Sequence, residues 1–286
     1  MSSKSFILKF SCPNKPGIVA GVATALFQAG FNIADAQQYD DETTDRFFAR
    51  IEFDGVEGME KPDVIAIIAP VAAQFHMDYA VQDKSVLRRV LLLVSKFDHC
   101  LADLLYRWRT HELAMDVVGI ISNHDAAHFA HLAIEDIPFY HLPVSRETKA
   151  AQEGKIWNIV ENTRPDLIVL ARYMQILSDD LAARLSGNCI NIHHSFLPSF
   201  KGAKPYHQAH ARGVKIIGAT AHYVTRDLDE GPIIEQDVER ISHRDTPENL
   251  VRKGREIERR VLARAVRYHL EGRVLLNGGK TVVFPE

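Results

Sequence analysis

Val90-Leu91-Leu92-Leu93-Val94 is an unbroken apolar run, which is typical of a strand buried on both faces of a parallel sheet. Similar runs recur at 117–121 and 167–171, and a shorter one at 189–192 precedes two histidines. Amphipathic stretches separate these runs, near residues 100–112, 125–134 and 146–162. The alternation predicts an α/β domain with a doubly wound, mostly parallel sheet, whose active residues lie at the carboxyl ends of the strands.

The first 84 residues follow a different order. Short β-prone runs alternate with helical spacing, giving strands at 6–10, 31–39, 46–53 and 77–82 and helices at 18–29 and 61–74. The order β-α-β-β-α-β is that of a ferredoxin-like domain. A polar joint at 85–89 follows it, so we expect two domains, 1–84 and 85–286.

Composition limits the class of protein. The 286 residues are 46% apolar and 25% charged, which is typical of a globular chain of about two domains. The net charge of −3, from 34 basic and 37 acidic residues, disfavours nucleic acid as a partner. Cys12, Cys100 and Cys189 are too widely spaced for a CxxC metal site or a disulfide framework.

The N-terminal stretch MSSKSFILKFSC has an apolar run too short for a signal peptide. No later run approaches the roughly 18 apolar residues of a membrane span. We therefore expect a cytoplasmic protein without a membrane partner.

Two turns in the first domain carry a resemblance. Cys12-Pro13-Asn14-Lys15-Pro16-Gly17-Ile18-Val19, followed by Gly30-Phe31-Asn32-Ile33, resembles an ACT domain, a module that senses small molecules. The glycines alone could simply punctuate a helix, but Phe47-Phe48-Ala49-Arg50-Ile51 fits the ACT pattern as well. The resemblance implies a homo-oligomer, a dimer or tetramer, and an amino-acid effector near Pro16, Gly17, Ile18, Gly30, Asn32 and Ile33.

Candidate catalytic residues concentrate after the strand at 189–192. Asn191 and His193 are two residues apart, so they share a strand face and could together donate to an oxyanion. Asp229, in a loop bounded by Gly and Pro, could deprotonate water directly or through His193. Each residue alone has a common structural role, as a turn cap, a strand-end histidine or a turn aspartate. Their joint occurrence indicates catalysis.

The same stretch resembles the formyltransferase fold family, whose members act on 10-formyltetrahydrofolate. Its Asn-x-His and Leu-Asp-x-Gly-Pro motifs match at Asn191, His193 and Asp229. The resemblance implies two walls of a folate pocket, formed by Arg172, Met174, Gln175, Ile176, Leu177, Thr225, Asp227, Leu228 and Gly231. Further pocket-lining candidates are His194, Ser195, Lys204 and His207.

The acceptor of the formyl group is the remaining question. Members that formylate a phosphorylated glycinamide carry a glycine-rich phosphate turn, where this chain reads Ser95-Lys96-Phe97-Asp98-His99-Cys100. Members that formylate initiator tRNA carry a C-terminal RNA-binding barrel, whereas here only a helix and a short tail follow. Water is then the simplest nucleophile, and an ACT module before this domain resembles the formyltetrahydrofolate deformylases, which are hydrolases. Alternatives are transfer to a small amine and a non-catalytic folate-binding regulator.

No metal or other cofactor is expected. His193, His207, His210 and His222 lack the Cys or Glu companions of a zinc site, although His207 and His210 have helical i, i+3 spacing. No GxGxxG follows the first strand of the second domain, which disfavours a dinucleotide.

Overall fold

The computed structural model describes residues 4–196 and 205–285. Contacts between Cα atoms divide the chain into two units. The first comprises the residues up to Leu87 together with 271–277 and those from Thr281 on, and the second comprises Arg88–Leu270 with Gly278–Lys280.

The first unit has the predicted ferredoxin-like order. Its elements are β1 (Ser5–Pro13), α1 (Ile18–Gln28), β2 (Asn32–Asp41), β3 (Arg46–Asp54), α2 (Lys61–Phe75) and β4 (Asp78–Asp83). The four strands form an antiparallel sheet in the order β2-β3-β1-β4.

Helical spacing explains the core of this unit. Ile18, Val22 and Leu26 fall on one face of α1 and are buried. They pack with apolar side chains of β1, β3 and α2, and the rings of Phe6 and Phe53 stack with centroids 6.0 Å apart. The ACT-like fold expected from the sequence is thus confirmed.

The C-terminal tail belongs to this first unit, whereas the predicted boundary placed it in the second domain. Lys9 Nζ donates to the Val274 carbonyl at 3.3 Å, and Arg50 Nε donates to the Glu271 carbonyl at 3.1 Å. Phe48 packs with Leu275 and Phe284, two tail residues whose side chains are buried against this sheet. Burial of these apolar side chains explains why the tail groups with sequence-distant strands.

The second unit is the predicted α/β domain. Its helices and strands are β5 (Arg88–Val94), α3 (His99–Arg109), β6 (Met115–Ser122), β7 (Phe139–His141), α4 (Lys149–Thr163), β8 (Leu167–Leu170), α5 (Asp179–Arg184), β9 (Cys189–His193), α6 (Pro205–Arg212), β10 (Ile216–Tyr223), β11 (Ile233–Arg240) and α7 (Pro247–Leu270). The tail that follows forms a hairpin of β12 (Val274–Asn277) and β13 (Lys280–Val283). The stretch expected as a helix near 125–134 is a 3₁₀ helix at Ala126–Leu132.

The seven-stranded sheet has the order β11-β10-β9-β8-β5-β6-β7. Strands β7, β6, β5, β8 and β9 are parallel neighbours, and β10 and β11 extend the sheet in antiparallel fashion beyond β9. The apolar run 90–94 is fully buried at the centre of the sheet. Among the described residues, none of the helices combines the length and apolar character needed to cross a bilayer.

Candidate active site

The candidate site begins at the carboxyl end of β9. Asn191 and His193 lie on the same face of this strand because they are two residues apart. The antiparallel register of β9 and β10 pairs His222 with Asn191. Three polar side chains therefore meet at one edge of the sheet. The sequence did not predict His222, since its place depends on a pairing between distant strands.

The loop between β10 and β11 brings Asp229 to this edge. Asp229 has a φ of 58°, a backbone conformation that residues other than glycine rarely adopt. A Cβ atom on Gly231 would lie 1.8 Å from the Tyr223 carbonyl oxygen, so only glycine permits this close approach. The Tyr223 N–H donates to the Pro232 carbonyl at 2.9 Å and fixes the loop against β10.

Asp229 contacts all three polar side chains of the sheet edge. His193 Nδ1 lies 3.1 Å from Asp229 Oδ2, and Asn191 Nδ2 donates to Oδ1 at 3.4 Å. His222 Nε2 lies 3.6 Å from the same Oδ1. Burial disfavours the charge of this carboxylate, but opposing contacts, of which the hydrogen bond from His193 is the largest, hold the pKa of Asp229 well below its ordinary value. Asp229 is therefore ionised at neutral pH.

The partners of His193 assign its tautomer. A carboxylate can only accept a hydrogen bond, so the neutral imidazole carries its proton on Nδ1, facing Asp229. His193 Nε2 is buried and has no hydrogen-bond partner among the described residues. This nitrogen has a lone pair that can accept a proton from a bound molecule.

His222 orients Asn191. His222 Nδ1 lies 2.9 Å from the Tyr223 carbonyl, which accepts its proton. Nε2 of the neutral ring then accepts a hydrogen bond from Asn191 Nδ2 at 3.3 Å. The second hydrogen of the amide faces Asp229 Oδ1 at 3.4 Å, the longer of the two contacts.

His194 stacks on His193, with ring centroids 5.0 Å apart and an interplanar angle of 25°. Burial, followed by the positive charge of Arg172 and that of His193 when protonated, lowers the pKa of His194 to about 4. This second histidine is therefore uncharged at neutral pH.

A cavity of about 880 Å³ opens beside these side chains. Met174, Ile176 and Leu228 expose 49%, 60% and 55% of their surface, an unusual apolar exposure that suits a bound ring system. All the residues predicted to bind folate line this cavity, namely Arg172, Met174, Gln175, Ile176, Leu177, Thr225, Asp227, Leu228 and Gly231. Asn191, His193, Asp229 and His194 line it as well.

Two predicted pocket residues lie elsewhere. Tyr206 and Ala209 form the buried face of α6, so the intervening His207 points away and is exposed. Ser195 is buried, and its carbonyl accepts a hydrogen bond from Thr220 Oγ1 at 3.0 Å instead of lining the described cavity. Lys204 lies outside the described residues.

The six predicted effector residues are not gathered into one site within the chain. Pro16 and Gly17 are exposed before α1, whereas Gly30 and Asn32 follow its other end, about 16 Å away at 1.5 Å per residue. Ile33 is partly exposed on β2, but Ile18 is buried in the core. The Ile18 side chain is therefore part of the core, and its role in effector binding stays a prediction.

Among the described residues, one group of side chains brings potential metal-ligating atoms together. Those of His99, Cys100 and Glu258 lie within 4.8 Å of one another. However, His99 Nε2 lies 2.7 Å from Glu258 Oε2, and Arg172 Nε lies 3.3 Å from the same oxygen. A guanidinium at this distance repels a cation, so we describe the group as an ion-pair network. Nothing in the sequence pattern indicated that Glu258 reaches this site.

Comparisons with known proteins agree with this architecture. The formyl transferase family model matches residues 88–266, more than half of the chain, and the ACT domain model matches residues 6–63. The formyltetrahydrofolate deformylase of Bacillus subtilis (strain 168) is 49% identical over 97% of this chain and 93% of its own length.

Two solved structures are similar over nearly the whole chain. The formyltetrahydrofolate deformylase of Burkholderia mallei ATCC 23344 has a TM-score of 0.92 and 50% identity, covering 99% of this chain and 100% of that one. That of Pseudomonas syringae pv. tomato str. DC3000 has a TM-score of 0.95 and 46% identity, covering 100% and 96%.

A formyl transferase domain with a cavity of about 880 Å³, preceded by an ACT domain, defines a class of one-carbon enzymes. Within that class, sequence identity to the deformylases over almost the full length of the chain decides the family. The chain belongs to the formyltetrahydrofolate deformylase family.

Proposed function

We propose that the cavity binds 10-formyltetrahydrofolate and that Asn191, His193 and Asp229 carry out its hydrolysis to formate and tetrahydrofolate. This reaction is the activity of the deformylase family, whose relatives favour it over transfer to an amine or a purely regulatory role. The observation that carries the residue assignment is His193, held by Asp229 at 3.1 Å while Nε2 is left without a protein partner in the described residues.

The geometry supports proton transfer through His193. Water attacks the formyl carbon, and its proton passes to the lone pair of His193 Nε2. Ionised Asp229 stabilises the resulting imidazolium and keeps the ring in its orientation. The low pKa of Asp229 makes it a poor base on its own, which favours this route over direct deprotonation.

Asn191 supplies the oxyanion donor in this mechanism. Its two amide hydrogens face His222 Nε2 at 3.3 Å and Asp229 Oδ1 at 3.4 Å, and the hydrogen of the longer contact turns to the developing negative charge. When the C–N10 bond breaks, His193 returns the proton to N10. The products are tetrahydrofolate and formic acid, which releases its proton to solvent as formate.

The test replaces the three side chains singly. We expect Asn191→Ala, His193→Ala and Asp229→Asn each to lower kcat about a hundredfold or more, since oxyanion donors and triad members typically contribute this much. Folate affinity should survive, because the other side chains that line the cavity are unchanged in each variant.

Formate release and folate binding are measured on the same preparations. Asp180→Asn is the matched control, since Asp180 is 90% exposed on α5, and it should retain native turnover. Near-native turnover in both His193→Ala and Asp229→Asn would contradict the assignment.

The ACT domain supports a second, regulatory proposal, that of an amino-acid effector and a dimer or tetramer. The turn at Pro16 and Gly17 is exposed, and β2, with Asn32 and Ile33 on its surface, is an edge strand. Because these two segments are separated within one chain, an effector site that uses both needs a second copy. Cytoplasmic location and the lack of a nucleic-acid partner stay predictions.

Two measurements test this proposal: the native mass of the protein, and its thermal unfolding in the presence of each amino acid in turn. We expect a mass of two or four chains and a raised Tm with at least one amino acid. A monomer whose Tm no amino acid changes would contradict it.

A further inference from the structure

Glu258 is a buried carboxylate that the proposed reaction does not use. It lies on α7 with 1% of its surface exposed. Tyr206, on α6, donates its hydroxyl proton to Glu258 Oε1 at 2.7 Å. His99, at the start of α3, lies 2.7 Å from Oε2, and Arg172 Nε, just after β8, lies 3.3 Å from it. Side chains from three separate segments thus converge on one carboxylate of α7.

This carboxylate is ionised. Burial disfavours its charge, but the His99 hydrogen bond and the charge of Arg172 hold the pKa of Glu258 below its ordinary value. Because a buried charge without a counter-ion is costly, Glu258 and Arg172 depend on each other.

Arg172 links the network to the active site. It lines the cavity, is 9% exposed, and has a φ of 65°, which is uncommon for a residue other than glycine. Its positive charge acts on His194, which stacks on His193. Strained backbone at this position is consistent with a side chain whose placement matters for function.

We propose that Glu258 is a positioning residue of the active site, which holds the Arg172 guanidinium beside the His193–His194 pair. Burial and the charge of Arg172 together then keep His194 neutral, so that His193 can take up a proton without a second cation against its ring. Besides Arg172, the charged and titratable groups that face His194 are His193, Asp229, Glu258 and Tyr206. The expected effect on turnover rests on the proposed function, whereas the effect of Arg172 on His194 does not.

The first measurement follows His194 by NMR between pH 5 and 8, with His194→Gln to assign its resonance. We expect His194 in the native protein to stay neutral across this range. In Arg172→Met its pKa should rise by about one unit or more, because a nearby cation is removed, so that protonation becomes visible at the acid end of this range. Arg172→Lys keeps the charge and should leave His194 neutral. Unchanged titration in Arg172→Met would overturn the proposal.

The second measurement separates positioning from folding. We expect Glu258→Gln to lower kcat about tenfold or more with KM changed less than about threefold, because misplaced groups near the chemistry affect the transition state most. Glu256→Gln, the same substitution on an exposed position of α7, is the control and should keep native kinetics.

Arg172→Met/Glu258→Gln removes both charges and covers the case in which a single variant fails to fold. If Glu258 acts through Arg172, the double variant should be no slower than Arg172→Met. Native kcat in folded Glu258→Gln, or multiplied losses in the double variant, would overturn the proposal. If native protein released no formate, the proposed hydrolysis would fail, while the titration would still decide whether Arg172 controls His194.

Discussion

At the scale of the residue, His193 is the side chain on which the site depends. Asp229 fixes its tautomer from one side, and His194 stacks on its ring. The sequence left open whether Asp229 acts directly or through His193. The 3.1 Å contact and the depressed pKa of Asp229 favour action through the imidazole. Distances between residues 36 positions apart cannot be derived from a motif, since they depend on how the loop packs.

The ionisation of Asp229 predicts a pH effect on stability. Its pKa in the folded protein is lowered from an ordinary value of 3.8. Its charge therefore contributes stability that is fully present above the unfolded pKa and is lost as the pH falls towards the folded one. We expect the free energy of unfolding of native protein to fall more steeply than that of Asp229→Asn between about pH 5 and 2.5.

Urea unfolding followed by circular dichroism at several pH values measures this difference. Asp180→Asn is again the control and should follow the native curve, because Asp180 is 90% exposed. Parallel curves for native protein and Asp229→Asn would show that Asp229 is not the depressed carboxylate.

At the scale of the element, α7 and α6 meet where a glycine leaves room for an aromatic ring. A Cβ atom on Gly254 would lie 2.1 Å from Tyr206 Cζ. Glu258 is one turn further along α7, so the same groove directs the Tyr206 hydroxyl to the carboxylate. Gly254 is thus required for packing, although a glycine inside a helix ordinarily weakens it.

Two matched substitutions test this packing. Gly254→Ala should destabilise the protein by roughly 1–3 kcal/mol, since overpacking displaces Tyr206. Gly154→Ala, in α4, adds a methyl group with no atom within 4 Å and should stabilise by about 0.5–1 kcal/mol. Unfolding in urea measures both. A stabilising Gly254→Ala would contradict the close contact between α6 and α7.

The elements themselves were largely predictable from sequence. The apolar run 90–94 became the central strand β5, and the spacing of Ile18, Val22 and Leu26 became the buried face of α1. Both signals are local, because β5 is a short unbroken apolar run and burial along α1 repeats with the period of a helix. The pairing of β10 with β9 is not local, so the sequence identified Asn191 and His193 but not His222, their neighbour across the strands.

At the scale of the whole molecule, the two spatial units do not follow the order of the chain. The ACT fold is built from the N-terminal residues, yet its unit also includes the C-terminal tail. Asn277 Nδ2 donates to Asp41 Oδ2 at 2.6 Å, and Leu275 and Phe284 pack with Phe48. A domain boundary predicted from composition cannot detect such a return of the chain, because no pattern in the tail sequence indicates which strands it packs against.

The resemblance of two consecutive modules was the most informative sequence signal for function. An ACT domain followed by a formyl transferase domain indicated the family before any distance was known, and full-length relatives confirm it. The role of Glu258 had no such signal, because its place on the buried face of α7 depends on how that helix packs.

The central claim is that water, activated at His193, attacks the formyl carbon. The most direct test runs the reaction with 10-formyltetrahydrofolate in ¹⁸O-labelled water, without added amine or metal, and analyses formate by mass spectrometry. We predict one ¹⁸O atom in each formate, tetrahydrofolate in equal amount over many turnovers, and at least a hundredfold less of both with His193→Ala. Formate without label, or labelled formate formed as fast by His193→Ala, would contradict it.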